Sequence, residues 1–189
     1  MKTSSVCFAL LAVCGLFAAV ASAADDKNDS TFAIGEGRYT LPVPAGWERK
    51  PPKTKIVEHE FAVPAAEGDE MPGRVTVMAA GGSVEDNINR WCGQFTQPDG
   101  SDTKDKAKVK TSTIAGAEVR TVDLSGTYND APPFAGRGIQ RENYRMLAAI
   151  ISTKDAGNYF IKLYGPSKTI SGQEAAFAKM VEGLQAKGK

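Results

Sequence analysis

The sequence is short of the residues on which most catalytic and metal sites depend. Its 189 residues include 1 histidine, 3 cysteines and 2 tryptophans. The single histidine, His59, would have to serve any Ser-His or Cys-His pair. A surplus of one charge is also missing: 23 Lys and Arg stand against 22 Asp and Glu. Electrostatically driven nucleic-acid binders show a basic surplus or stripe, so this balance argues against that class. Past residue 20 no apolar run approaches the roughly 20 residues that a membrane span needs.

What is present begins with a leader. Lys2 and the amino terminus form a short positive region, Val6 to Val20 is uncharged and apolar, and Ala21-Ser22-Ala23 supplies the small residues of a signal-peptidase site. Residues 1–23 are therefore expected to be a cleaved signal peptide, and the protein to be exported to a periplasm or the medium. An alternative is lipidation at Cys14, since Leu11-Ala12-Val13-Cys14 loosely resembles a lipobox. Cleavage after Ala23 removes Lys2, Cys7 and Cys14, which levels the charge and leaves Cys92 as the sole thiol. No intrachain disulfide can then form, and with one Cys and one His a mononuclear structural zinc site, which usually draws on several such ligands, is not expected.

After a polar lead-in over residues 24–38, alternating apolar positions predict strands. Tyr39 to Val43 is a first strand. Ile56 to Val63 places Val57, His59, Phe61 and Val63 on one face, and Arg74 to Ala80 is its hairpin partner. Lys106 to Thr113 and Ala117 to Thr127 make a hairpin around Ala115-Gly116. Tyr144 to Ser152 and Asn158 to Tyr164 make a last pair, turning at Asp155-Ala156-Gly157. Two helices are predicted. One is capped by Ser83, carries Val84, Ile88, Trp91, Cys92 and Phe95, and stops near Pro98. The other opens with a capping box, Ser171-Gly172-Gln173-Glu174, and carries Phe177, Met180, Val181 and Leu184. The expected fold is α+β over residues 39–186, a mostly antiparallel sheet of six to seven strands flanked by two amphipathic helices.

The stretch Tyr39-Thr40-Leu41-Pro42-Val43-Pro44-Ala45-Gly46-Trp47 resembles the opening of PsbP-like proteins, and Gly165-Pro166 leading into a helix resembles their ending. Pro133-Phe134-Ala135-Gly136 through Tyr144-Arg145-Met146-Leu147 resembles uncharacterised secreted bacterial proteins of this type. The resemblance implies the fold shared by PsbP and the Ran-binding Mog protein, in a family whose studied members bind other proteins. It carries over no catalytic residues.

Each chemical signal also has a plain structural reading. His59 alternates with packed residues, and Cys92 sits among aromatics where a thiol stays protonated. Asp99, Asp102 and Asp105 are either an oxygen-rich cation loop or a solvated one. Lys104, Lys106, Lys108 and Lys110 would share one strand face, either reading an anion or guarding a sheet edge. Phe134, Arg137, Arg141, Tyr144 and Arg145 form the candidate contact surface, since arginine forks suit carboxylates or phosphates. The expected function is a non-enzymatic binding module for an unknown protein or small ligand, with no nucleic acid and no cofactor. The alternative is a small-molecule site between sheet and helix; a hydrolase using His59 or a carboxylate pair is third.

Overall fold

The computed structural model describes residues 30–131 and 138–187. The expected leader, Phe134 and Arg137 lie outside the described residues. Among these described residues, eleven strands form two antiparallel sheets. In the larger one, the order is β3 (Glu48–Lys50), β4 (His59–Val63), β5 (Gly73–Ala80), β10 (Gly157–Pro166), β9 (Ile139–Thr153), β8 (Ala117–Asp130) and β6 (Phe95–Thr96), with β7 (Lys108–Ile114) also paired to β8. The smaller sheet joins β1 (Thr31–Ile34), β2 (Tyr39–Pro42) and β11 (Gln185–Ala186). The helices are α1 (Val84–Cys92), α2 (Thr103–Lys106), α3 (Ser167–Ser171) and α4 (Glu174–Glu182). The architecture is the α+β layering expected from the hairpin pattern. Among the described residues, no helix is long and apolar enough to cross a membrane.

Alternation along each strand sorts its side chains between two cores. On β10, Tyr159, Ile161 and Leu163 join a cluster with Val75 and Val77, covered by the small sheet and by Phe177, Met180 and Val181 of α4. Phe160 faces the other way, into a cluster with Met146, Ala148 and Ile150, covered by Ile88 and Trp91 of α1. The two coverings differ in extent. The nine residues of α1 span about 14 Å, whereas the ten residues of β10 run for about 34 Å. Part of the α1 face of the sheet is therefore left as a cleft.

Four sequence expectations need correction. The lead-in over 24–38 contains β1, whose Phe32 and Ile34 are core residues, so the folded unit starts before Tyr39. The α1 helix ends at Cys92 rather than near Pro98. Phe95 still reaches the same apolar cluster, but from β6, where it pairs with Tyr128. Lys104 and Lys106 belong to α2, so only Lys108 and Lys110 share the exposed β7. The capping box does not form either: Ser171 closes α3, and Gln173 precedes α4 without a side-chain cap. Arg145 takes both box residues instead, donating to Ser171 Oγ at 3.0 Å and Glu174 Oε2 at 2.8 Å. Charge-assisted bonds of this kind are stronger than a neutral cap bond.

A bulge between β8 and β9 aligns Gly126 with Tyr144 and Tyr128 with Arg141. Gly126 has φ 144°, and a Cβ there would stand 2.6 Å from the Thr96 carbonyl oxygen. Gly126→Ala is accordingly expected to cost about 2 kcal/mol by overpacking against a backbone that cannot give way. Urea denaturation measures this, and an unchanged midpoint would refute it.

Candidate functional site

The cleft of about 810 Å³ lies where α1 leaves the sheet uncovered. Its floor follows from strand register. Phe160, Lys162 and Tyr164 alternate on one face of β10, opposite Met78, Thr76 and Arg74 of β5. Trp91, Arg90 and Gln94 overhang one side, and Tyr128 and Asp130 of β8 close another. The mouth is apolar: Ile56 and Ile139, 66% and 63% exposed, both line it. Aromatic rings continue the floor, with Tyr128 5.5 Å from Tyr164 and stacked on Tyr144 at 6.0 Å.

Two cations on this floor are held differently. Arg74 is neutralised by Glu60 of β4, donating from Nε and Nη2 to the two carboxylate oxygens at 2.9 Å each, while Nη1 donates to the Tyr164 hydroxyl at 2.7 Å. The Arg74 hydrogen bonds hold the Glu60 carboxyl below the usual carboxylate range against the opposing effect of burial. Lys162 has no such partner. Its cross-strand neighbours are Thr76 and Ala148, and among the described residues no carboxylate pairs with it. Nζ donates to Gln94 Oε1 at 3.1 Å and sits over the Trp91 and Tyr164 rings at 5.5 and 5.6 Å. Burial, reinforced by the charges of Arg90 and Arg74, pulls its ammonium down to about 8. Burial also pushes the Tyr128 and Tyr164 phenols up, so both keep their protons at neutral pH.

The surface expected from the sequence is divided by the sheet. Because of the bulge, Arg141 and Tyr144 share the cleft side, with the Arg141 guanidinium 5.9 Å from the Tyr144 ring and its Nε donating to Asp130 at 2.8 Å. Arg145 points to the opposite face, with a bidentate pair to Asp123 at 2.9 Å beside its bonds to Ser171 and Glu174. The segment bearing Phe134 and Arg137 is outside the described residues, but its flanks, Ala131 and Gly138, line the cleft.

The other signals have local roles. His59 Nε2 lies 2.7 Å from the Ala33 carbonyl oxygen and ties β4 to β1. Cys92 is buried, which pushes its thiol up. Asp99 accepts from Ser101, and Asp102 caps α2 by accepting from the Lys104 amide. Sequence reading passed over Lys162 and Arg74. The available signal was Phe160-x-Lys162-x-Tyr164, a lysine in phase with two aromatics on a strand whose other face carries Tyr159, Ile161 and Leu163.

No family model matches the chain, and no curated protein sequence matches it. Solved structures resemble it in fold at low identity. One is LpqN, involved in cell envelope biogenesis of Mycobacterium tuberculosis, with TM-score 0.50 and 11% identity over 79% of this chain and 83% of that one. Cyanobacterial PsbP (CyanoP) from Synechocystis sp. PCC 6803 gives 0.49 and 12% over 94% and 99%. The Ran-binding protein Mog1p of Saccharomyces cerevisiae gives 0.44 and 13% over 82% and 94%. At 11% identity the likeness to LpqN is one of fold alone, an α+β fold of the kind expected from the sequence.

Proposed function

We propose that this protein is a non-enzymatic binding module whose cleft takes a small ligand with a single anionic head and an apolar body. The observation that carries this reading is the Lys162 ammonium, lodged among aromatic rings with no counter-ion among the described residues. Of its three N–H donors one is used by Gln94, so two remain for a carboxylate. Arg74 spends three of its five N–H donors on Glu60 and Tyr164, and the Glu60 carboxylate neutralises its charge. Trp91, Phe160 and Tyr128 offer the apolar wall, and the cleft volume falls within the range of roughly 300–1,000 Å³ common for small-ligand sites. Ile56 and Ile139 extend that wall to the mouth. Arg141 bonds Asp130 and Tyr144 stacks on Tyr128, two residues of the cleft lining, which sets them beside this site. With the leader expected at residues 1–23, capture would take place on exported protein, in a periplasm or outside the cell.

The test is thermal unfolding with 4-phenylbutyrate and with its neutral alcohol, 4-phenylbutanol. Binding to the native state alone stabilises by about 2.7 kcal/mol at a hundred times Kd. The acid is expected to raise the melting temperature in a saturable way, and the alcohol to do so much less. Equal responses would refute the anionic head, and no response from either would refute the cleft as a site for this ligand class.

A further inference from the structure

Lys162 is the only lysine among the described residues that is not exposed. Its Nζ is fixed in direction by Gln94 Oε1 and by the two rings it lies over, and it opens on the cleft rather than on bulk water. Among the described residues nothing anionic holds it as an ammonium, and Arg90 and Arg74 oppose that charge. A desolvated amine beside other cations is the arrangement that turns lysine into a nucleophile.

We propose that Lys162 is a reactive amine that condenses reversibly with an aldehyde carried on an aromatic or aliphatic body seated in the cleft. The free amine lone pair attacks the carbonyl carbon, forming the C–N bond while the carbonyl π pair moves to oxygen, which takes a proton. The resulting carbinolamine loses its hydroxyl as water and the nitrogen its remaining proton, leaving a C=N bond. One water is released and no electrons are exchanged with an outside reagent. The Tyr164 hydroxyl, which accepts from Arg74 and keeps its own proton, lines the same cleft and is placed to protonate the departing oxygen. Apolar walls limit the water that would hydrolyse the imine. The outcome is stoichiometric capture of a carbonyl compound. This inference rests on the cleft being a ligand site, as in the reading above, but not on an anionic head.

The experiment treats the full chain with benzaldehyde, which is neutral, and in parallel with 4-formylbenzoate. Cyanoborohydride traps imines as stable secondary amines, and peptide mass spectrometry locates them. Benzaldehyde is expected to label Lys162 about tenfold faster than the exposed lysines near pH 7.5. The Lys162→Arg protein, which keeps the cation, should lose that adduct with the exposed lysines unchanged. Labelling of Lys162 by benzaldehyde at or below the rate of the exposed lysines overturns the proposal. Selectivity with 4-formylbenzoate alone also overturns it, because attraction of the anion would then be the whole effect. Selective benzaldehyde labelling with no thermal response to 4-phenylbutyrate would support the reactive amine and sink the anionic head.

Discussion

Replacing Lys162 by Met is expected to raise the melting temperature while weakening aryl carboxylate binding at least about tenfold. The fall of the ammonium from 10.5 to about 8 corresponds to about 3 kcal/mol by which burial disfavours the charged form. Methionine fills the same volume against Trp91 and Phe160 without that penalty. Some of the gain is returned because Gln94 loses its donor, so about 2 kcal/mol is the expected net, or roughly 6 °C for a domain of this size. The pH dependence has a definite sign. Between about 8 and 10.5 the unfolded chain binds a proton at Lys162 that the native protein does not, so wild-type stability rises with pH in that window and the advantage of the Met variant shrinks. Carboxylate affinity should move the other way, falling as pH rises through about 8 and the amine discharges. The charged and titratable groups around it are Arg74, Arg90, Glu60, Asp130, Lys53 and the two phenols. Calorimetry at about pH 7 and pH 10 checks both statements. A Met variant no more stable than wild type at pH 7 would mean that the ammonium is adequately solvated and the site ordinary.

Glu60→Gln should move the two properties in the reverse senses. Glu60 is 5% exposed and is the only carboxylate bonded to Arg74 among the described residues. Removing its charge strands a guanidinium, which costs about 3–5 kcal/mol at a fully buried pair. The Arg74 side chain keeps 32% of its surface, so about 3 kcal/mol and a fall of roughly 10 °C are expected. The same change adds an uncompensated positive charge to the cleft, so carboxylate affinity at low salt should rise severalfold, with the gain screened away at high salt. Because hydrogen bonding from Arg74 lowers the Glu60 value, the stability it contributes is present above the ordinary carboxylate value near 4.5 and is lost as pH falls through the lowered native one. The variant should therefore show a weaker acid dependence than wild type over that range. Weakened rather than strengthened anion binding, in protein that remains folded at the assay temperature, would show that Glu60 organises the site instead of restraining it.

Much of the larger sheet was legible because alternation is a local property. The hairpins at Ala115-Gly116 and Asp155-Ala156-Gly157 are where turn residues and period-2 runs place them, with Cα pairing from Lys108↔Asp123 to Ile114↔Ala117 in one and from Gly157↔Thr153 to Pro166↔Tyr144 in the other. Ser83 caps α1 as its position implies, with the Asp86 amide donating to its Oγ. Elements whose reason is distant were not legible. The four-residue β1 is too short to show alternation and is a strand because β2 pairs with it and because the core receives Phe32 and Ile34. Ser171 has the local look of a helix cap, and Arg145, 26 residues away in the chain, overrides it.

By itself the sequence determined the hairpin order, the α+β class and the buried faces of β4 and β5, because these follow from short-range periodicity and turn chemistry. Charge balance and the scarcity of His and Cys are likewise properties of the sequence alone. Only the tertiary structure decided where a site could be. Glu60, Arg74, Lys162 and Gln94 come from four separate segments, and nothing local to any of them says which cation is neutralised and which is not. Register sets Lys162 between Thr76 and Ala148 while Arg74 reaches Glu60, and a nine-residue helix is too short to cover the sheet above them. The same register and bulge turned Arg141 and Arg145, four residues apart on β9, to opposite faces of the sheet, which no reading of their spacing alone could have foreseen.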